Sequence, residues 1–93
     1  MSDERAELEP FLQQPVVLDT RGELIYLGTL SSVGDWYLTL VEADVHDLQA
    51  SRTSKELYIM ESAKHGVRVN RKQVLVRKAE VVSISALEDV MQY

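Results

Sequence analysis

The chain has 93 residues, of which 45% are hydrophobic and 27% are charged, with four glycines and two prolines. This length predicts a single domain, and the composition is that of a globular protein rather than a disordered one. The absence of cysteine excludes disulfides, thiolate-bound zinc, iron–sulfur clusters and a cysteine nucleophile. No apolar run approaches ~18 residues, and the acidic start lacks the features of a signal peptide, so we expect a cytoplasmic protein with no membrane partner.

The net charge of −5 is unevenly distributed along the chain. Residues 1–49 carry ten acidic and two basic side chains, whereas residues 50–93 carry eight basic and five acidic ones. The net charges of the two halves are therefore −8 and +3. Six lysines or arginines and no acid lie between Lys64 and Lys78. An acidic protein of this kind can still present a locally positive surface.

The first half predicts a helix followed by three strands. Residues 1–14 have apolar residues at helical spacing among acids, which favours an N-terminal helix that ends at Pro15. Residues 15–43 contain three apolar runs separated by turn signals, and this pattern predicts strands one to three. Gly28 lies within the second run, where a missing side chain permits the sharp bend that a small barrel needs.

The second half predicts an insertion and then two more strands. Residues 44–66 indicate a loop and a helix, with Ser54 as N-cap and Gly66 as the C-terminal stop. A strand through residues 56–60 is the competing interpretation, although its polarity does not alternate. Residues 67–85 predict strands four and five, and residues 86–93 form a tail. The fold class is therefore all-β with short helices: a small five-stranded, strongly bent antiparallel barrel with an N-terminal helix and a helical insertion before the fourth strand.

Two segments carry a resemblance to a known family. Residues 16–43 resemble the first Sm motif, with a turn glycine at Gly22 and a Gly-x-Leu in the second strand, and residues 74–85 resemble the second Sm motif in their apolar triplet, Arg77 and returning strand. The chain is thus similar to the Sm-like family, as a divergent member that we expect to be bacterial. The second segment is the more specific of the two.

The resemblance implies a ring of subunits that are joined through the fourth and fifth strands and that bind uridine- or adenine-rich RNA. The RNA-contacting positions fall on Asp35, Trp36 and Tyr37 in the first motif, and on Arg77 with Lys78 in the second. The family's base-reading Asn is absent, since its place falls on Leu38 or Thr39, and Lys78 stands where the family has Gly. The resemblance therefore implies a homo-oligomer that binds single-stranded RNA and is not an enzyme.

The segment from Lys64 to Lys78, which we call the basic window, is the best candidate site that the residues themselves indicate. Arginine forks match phosphate geometry, and several on one surface supply affinity for RNA that does not depend on sequence. A second hypothesis is that Arg68, Arg71 and Arg77 pair with the acidic half of the chain and join the barrel or neighbouring subunits. The protein is then a protein-interaction or structural module that does not bind nucleic acid. The candidate nucleic-acid-binding residues are Trp36, Tyr37, Arg68, Arg71, Lys72, Arg77 and Lys78.

Aromatic, metal and catalytic patterns are weaker. Strand alternation places Trp36 in phase with Leu38, so a core position is the first interpretation of Trp36, with base stacking as the other, and Tyr37 points outward. Residues 44–47 together with His65 contain metal-ligand types without diagnostic spacing. No catalytic motif is present, and we predict no cofactor, no metal and no enzymatic activity.

Overall fold

The structure, a computed structural model, describes residues 4–92. It has five strands, two α-helices and three short 3₁₀ turns. The first residues of the predicted N-terminal helix, 1–3, and Tyr93 of the predicted tail lie outside the described part. The elements in chain order are α1 Glu4–Leu8, a 3₁₀ turn Glu9–Phe11, β1 Pro15–Thr20, β2 Leu24–Val33, β3 Tyr37–Asp47, α2 Lys55–His65, β4 Arg71–Arg77, a 3₁₀ turn Lys78–Glu80, β5 Val81–Ala86 and a 3₁₀ turn Leu87–Asp89.

The five strands form one antiparallel sheet in the order β4-β3-β2-β1-β5. The sheet bends where β3 has two residues, Glu42 and Ala43, opposite the single Gly28 of β2. Glu42 has a positive φ of 48°. A Cβ on Gly28 would lie 3.0 Å from both Cα and Cβ of Ala43, so only glycine permits this approach of the two strands.

The bent sheet has a hydrophobic cluster on each face. The inner cluster is centred on Val16, Leu18, Leu30, Leu38, Leu40, Ala43 and Val76, with residues of the N-terminal helical segment packed against it. The outer cluster contains Val17, Ile25 and Leu27 beneath Tyr58 and Ile59 of α2. Because β1 and β2 are covered on both faces, their sequences are apolar without alternation.

The fold class predicted from the sequence is confirmed, including the N-terminal helix and the helical insertion before β4. The interpretation of residues 56–60 as a strand is wrong, since they lie within α2. Ser54 caps α2 by accepting a hydrogen bond from the Leu57 amide (3.2 Å), and the chain leaves the helix at Gly66 with φ 95°. Within residues 4–92, no helix has the length and apolar character needed to span a membrane.

The element boundaries differ from the sequence-based expectation in two places. The N-terminal α-helix ends at Leu8, followed by a 3₁₀ turn to Phe11, instead of continuing to residue 14. β3 continues to Asp47 instead of ending at Ala43, because residues 44–47 pair with the first residues of β2. The buried face of α2 is formed by Tyr58, Ile59 and Ser62, whereas Leu57 is 48% exposed. The face of α2 that packs on the sheet is the one that carries Tyr58, which contacts Asp44 and His46 of β3.

Candidate nucleic-acid interface

The turn between β2 and β3 and the turn between β4 and β5 lie side by side. The backbone N–H of Lys78 donates to the Trp36 carbonyl (2.9 Å), and Lys78 Nζ donates to the Gly34 carbonyl (3.0 Å). Tyr37 and Arg77 are directly opposite each other in the β3–β4 ladder. The two motif segments, about forty residues apart in the sequence, thus meet at one end of the sheet. We call Trp36, Tyr37, Arg77 and Lys78 the aromatic end.

Trp36 and Tyr37 are available to solvent at this end. Trp36 is 70% exposed and Tyr37 is 41% exposed. The core interpretation of Trp36 is wrong because β3 begins only at Tyr37, so Trp36 belongs to the turn and does not follow the alternation that buries Leu38. An exposed indole beside a half-exposed phenol is a surface on which nucleic-acid bases stack.

The charged groups around the aromatic end have defined partners. The Arg77 guanidinium lies 6.0 Å from the centre of the Tyr37 ring, at the limit of a cation–π contact. Asp35, also carried over from the first motif, forms an exposed ion pair of 2.9 Å with Arg5 of α1. An exposed pair of this kind contributes little to stability.

The other three predicted cations lie elsewhere. Arg71 is opposite Ala43 and Arg77 opposite Tyr37, so the two arginines are at opposite ends of β4, about 20 Å apart along the strand. Arg68 precedes β4, and Lys72 follows Arg71 at its start. The basic window is therefore two separate groups of cations rather than one surface. We call this second group, together with the neighbouring side chains of β3, α2 and the connection to β4, the insertion end. Its residues are Asp44, His46, Tyr58, Arg68, Asn70, Arg71 and Lys72.

Intramolecular ion pairs do not account for these arginines. Among residues 4–92, the ion pairs are Arg5 with Asp35, Lys55 with Asp19 and His65 with Glu61. None of them uses Arg68, Arg71 or Arg77. Among the described residues, these three arginines therefore form no ion pair with the acidic half of the same chain.

The insertion end contains a polar cluster that the sequence analysis missed. The Asp44 carboxylate is buried, with 6% of the residue exposed, and accepts hydrogen bonds from the Tyr58 hydroxyl (2.5 Å) and from Asn70 Nδ2 (2.9 Å). The His46 ring stacks on Tyr58, with ring centres 3.8 Å apart. Burial raises the pKa of the Tyr58 hydroxyl, and its hydrogen bond to Asp44 raises this pKa further. Val45, a β-branched residue between polar ones, is the signal in the sequence that β3 continues to this cluster.

The histidines and acids of this region do not form a metal site. Among the described residues, no three histidine, aspartate or glutamate side chains are grouped closely enough to hold a metal ion. His65 Nε2 lies 3.4 Å from a carboxylate oxygen of Glu61, one turn earlier in α2.

Solved structures share this fold. The chain is similar to the Sm protein of Pyrococcus abyssi in complex with a uridine heptamer, with a TM-score of 0.60 and 14% identity over 91% of this chain and 99% of that chain. It is also similar to a heptameric archaeal Sm protein, with a TM-score of 0.54 and 19% identity over 87% of this chain and 96% of that chain. No protein-family model matches the sequence, and no curated protein matches it. The fold is therefore Sm-like.

Proposed function

We propose that the chain is a non-enzymatic RNA-binding protein that works as a homo-oligomer and holds single-stranded RNA at the aromatic end. The observation that carries this proposal is the meeting of exposed Trp36 and Tyr37 with Arg77 and Lys78 across two adjacent turns. Aromatic faces stack on bases, while the cations attract phosphates. The fold likeness to an Sm protein in complex with a uridine heptamer supports uridine-rich RNA as the first ligand to test.

The free edges of the sheet support self-association. β4 pairs only with β3, and β5 pairs only with β1, so each has an outer edge without a partner strand in the described chain. Each edge strand also carries an exposed apolar side chain, Leu75 on β4 (53% exposed) and Val82 on β5 (62% exposed). Unpaired edges with apolar side chains favour pairing with another chain. Joining β4 of one subunit to β5 of the next gives a head-to-tail contact that can close into a ring, and one of the similar structures is heptameric.

Binding of a fluorescein-labelled uridine heptamer, followed by anisotropy, tests the RNA proposal. We expect Trp36→Ala to weaken binding by roughly 5- to 150-fold, because one stacked base contributes ~1–3 kcal/mol. Arg52→Gln, which removes a cation from the loop before α2, is the matched control and should bind like the native protein. Native protein that fails to bind the heptamer at low salt, or a Trp36→Ala variant with native affinity, contradicts the proposal.

A second candidate function, a protein-interaction module without RNA, is favoured by the charges of β4 and of the segments that flank β5. β4 has three cations, Arg71, Lys72 and Arg77, and no acid, whereas residues 79–93 have three acids, Glu80, Glu88 and Asp89, and no cation. If the second candidate is correct, light scattering detects an oligomer that weakens with salt and the purified protein has the absorbance ratio of protein alone. An RNA-dependent signal in the heptamer experiment decides for the first candidate.

A further inference from the structure

The insertion end encloses a groove of about 750 Å³ between α2, β3 and the connection to β4. Its walls include Asp44, His46, Tyr58, Arg68 and Asn70. It shares no residue with the aromatic end, and β4 separates the two by about 20 Å. A groove of this size holds a ligand as large as a nucleotide.

The groove is held in shape by Asn70. Asn70 Oδ1 accepts from the Val45 amide (3.0 Å), while Asn70 Nδ2 donates to Asp44 (2.9 Å) and to the Val45 carbonyl (3.1 Å). The Asn70 amide donates to the Ala43 carbonyl (2.8 Å). These bonds fix the connection that precedes β4 against the end of β3, which places the Arg68 backbone at the wall of the groove.

Two polar groups of the groove have no partner among residues 4–92. Arg68 has no hydrogen bond or ion pair among the described residues. The Nε2 atom of His46 is buried and also lacks a hydrogen-bond partner within residues 4–92. An unpartnered buried polar atom costs about 1–3 kcal/mol unless water or another group satisfies it.

The groove wall carries one guanidinium, Arg68, and two carboxylates, Asp44 and Glu61, so an anion is favoured only beside Arg68. Both oxygens of Asp44 are occupied by Tyr58 and Asn70, and Glu61 faces His65. Arg68 is the guanidinium on the wall, with Arg71 and Lys72 following directly at the start of β4. A guanidinium presents a planar fork of donors that matches a phosphate group.

From these observations we propose that the groove at the insertion end binds a nucleotide, with its phosphate on Arg68 and its base and ribose against the polar wall formed by Asp44, His46, Tyr58 and Asn70. The phosphate comes either from a free mononucleotide or from one residue of an RNA strand. The groove and the aromatic end are separate sites. Failure of nucleotide binding in the groove therefore does not contradict RNA binding at the aromatic end, and the reverse also holds.

The composition of the chain provides a separate reporter for each site. The only two histidines, His46 and His65, both line the groove, whereas the only tryptophan, Trp36, is at the aromatic end. NMR of ¹³C-labelled histidine rings therefore reports on the groove, and tryptophan fluorescence reports on the aromatic end. The probes are uridine monophosphate, uridine, inorganic phosphate and a uridine heptamer.

We expect uridine monophosphate to shift both histidine signals without changing the Trp36 fluorescence. Arg68→Gln should weaken this binding roughly tenfold or more, since it removes a charge-assisted hydrogen bond. Arg68→Lys, which keeps the charge and loses the fork, should have an intermediate effect. Arg21→Gln in the β1–β2 turn is the matched control. Histidine shifts that the heptamer alone produces, and that Arg68→Gln removes, also support the site and identify RNA as the source of the phosphate.

Three results overturn the proposal. In the first, neither uridine monophosphate nor the heptamer shifts the histidine signals. In the second, uridine binds as tightly as its monophosphate, or inorganic phosphate binds as tightly as the nucleotide. In the third, Arg68→Gln keeps native affinity for the nucleotide while its amide spectrum shows a native fold.

Discussion

The two ends of β4 differ in how far their side chains are buried and hydrogen-bonded. At the aromatic end, Trp36 and Tyr37 are exposed and the cations make long contacts or bond to backbone carbonyls. At the insertion end, Asp44 is buried and bonded to side chains from α2 and from the connection to β4. The side chains of the aromatic end therefore contribute little to folding, whereas the insertion end joins the groove to a part of the hydrophobic core.

This difference separates the effects that mutations should have. Side chains at the aromatic end make few buried contacts, so their removal should change binding and leave the free energy of unfolding almost unchanged. Side chains that bond to Asp44 hold α2 and β3 together, so their removal should lower the free energy of unfolding. Variants matched across the two ends test whether this division holds.

Asn70→Ala gives the largest expected effect. It removes three side-chain hydrogen bonds and leaves Asp44 Oδ1 without its partner. We expect the free energy of unfolding to fall by about 2–3 kcal/mol, because an unsatisfied buried acceptor adds to the lost bonds. Urea denaturation followed by circular dichroism measures this change.

Trp36→Ala is the matched variant at the aromatic end for the same measurement. Its free energy of unfolding should stay within about 0.5 kcal/mol of native, as is usual for exposed side chains. If Trp36→Ala destabilises the protein as much as Asn70→Ala does, the division between the two ends is wrong.

Tyr58→Phe has the next largest expected effect. It removes the hydroxyl that donates to Asp44 and keeps the ring against His46. We expect a loss of about 1–2 kcal/mol at neutral pH. Tyr37→Phe, which changes an exposed tyrosine in the same way, should have the stability of the native protein in the same urea titration.

The pH dependence of stability distinguishes the buried hydroxyl from the exposed one. The folded protein raises the pKa of Tyr58 above its value in the unfolded chain, so the stabilising contribution is complete below about pH 10 and is lost as the pH rises beyond it. Native protein and Tyr37→Phe should therefore lose more stability between pH 9 and pH 11 than Tyr58→Phe does. Equal losses in all three proteins would mean that Tyr58 ionises freely in the folded state.

Sequence periodicity was sufficient for the fold because the elements follow local rules. The turn glycines, the apolar runs and the Ser54 cap each determine a local conformation, and together they predict the five strands and α2. The exact end of β3 was missed because Asp44, His46 and Asp47 are polar. These residues are in a strand because they pair with the first residues of β2, a long-range contact that local propensity does not contain.

The candidate site was predictable only in part for a similar reason. The family resemblance pointed to Trp36, Tyr37, Arg77 and Lys78, and the structure brings these four together. The acid-free window suggested a single surface, although Arg71 and Arg77 are the first and last residues of a seven-residue β-strand. The cluster of Asp44, Tyr58 and Asn70 joins three distant segments, and no spacing rule along the chain relates them.

Arg77→Gln gives the smallest expected effect and tests the electrostatic part of RNA binding at the aromatic end. Each phosphate contact on a single strand contributes about 0.7 to the slope of log affinity against log salt concentration. We expect the slope for a uridine heptamer to decrease by about that amount in Arg77→Gln, while Arg52→Gln retains the native slope. Because Arg77 also lies 6.0 Å from the Tyr37 ring, a loss of affinity without a change of slope would mean that Arg77 positions the aromatic side chain and does not contact phosphate.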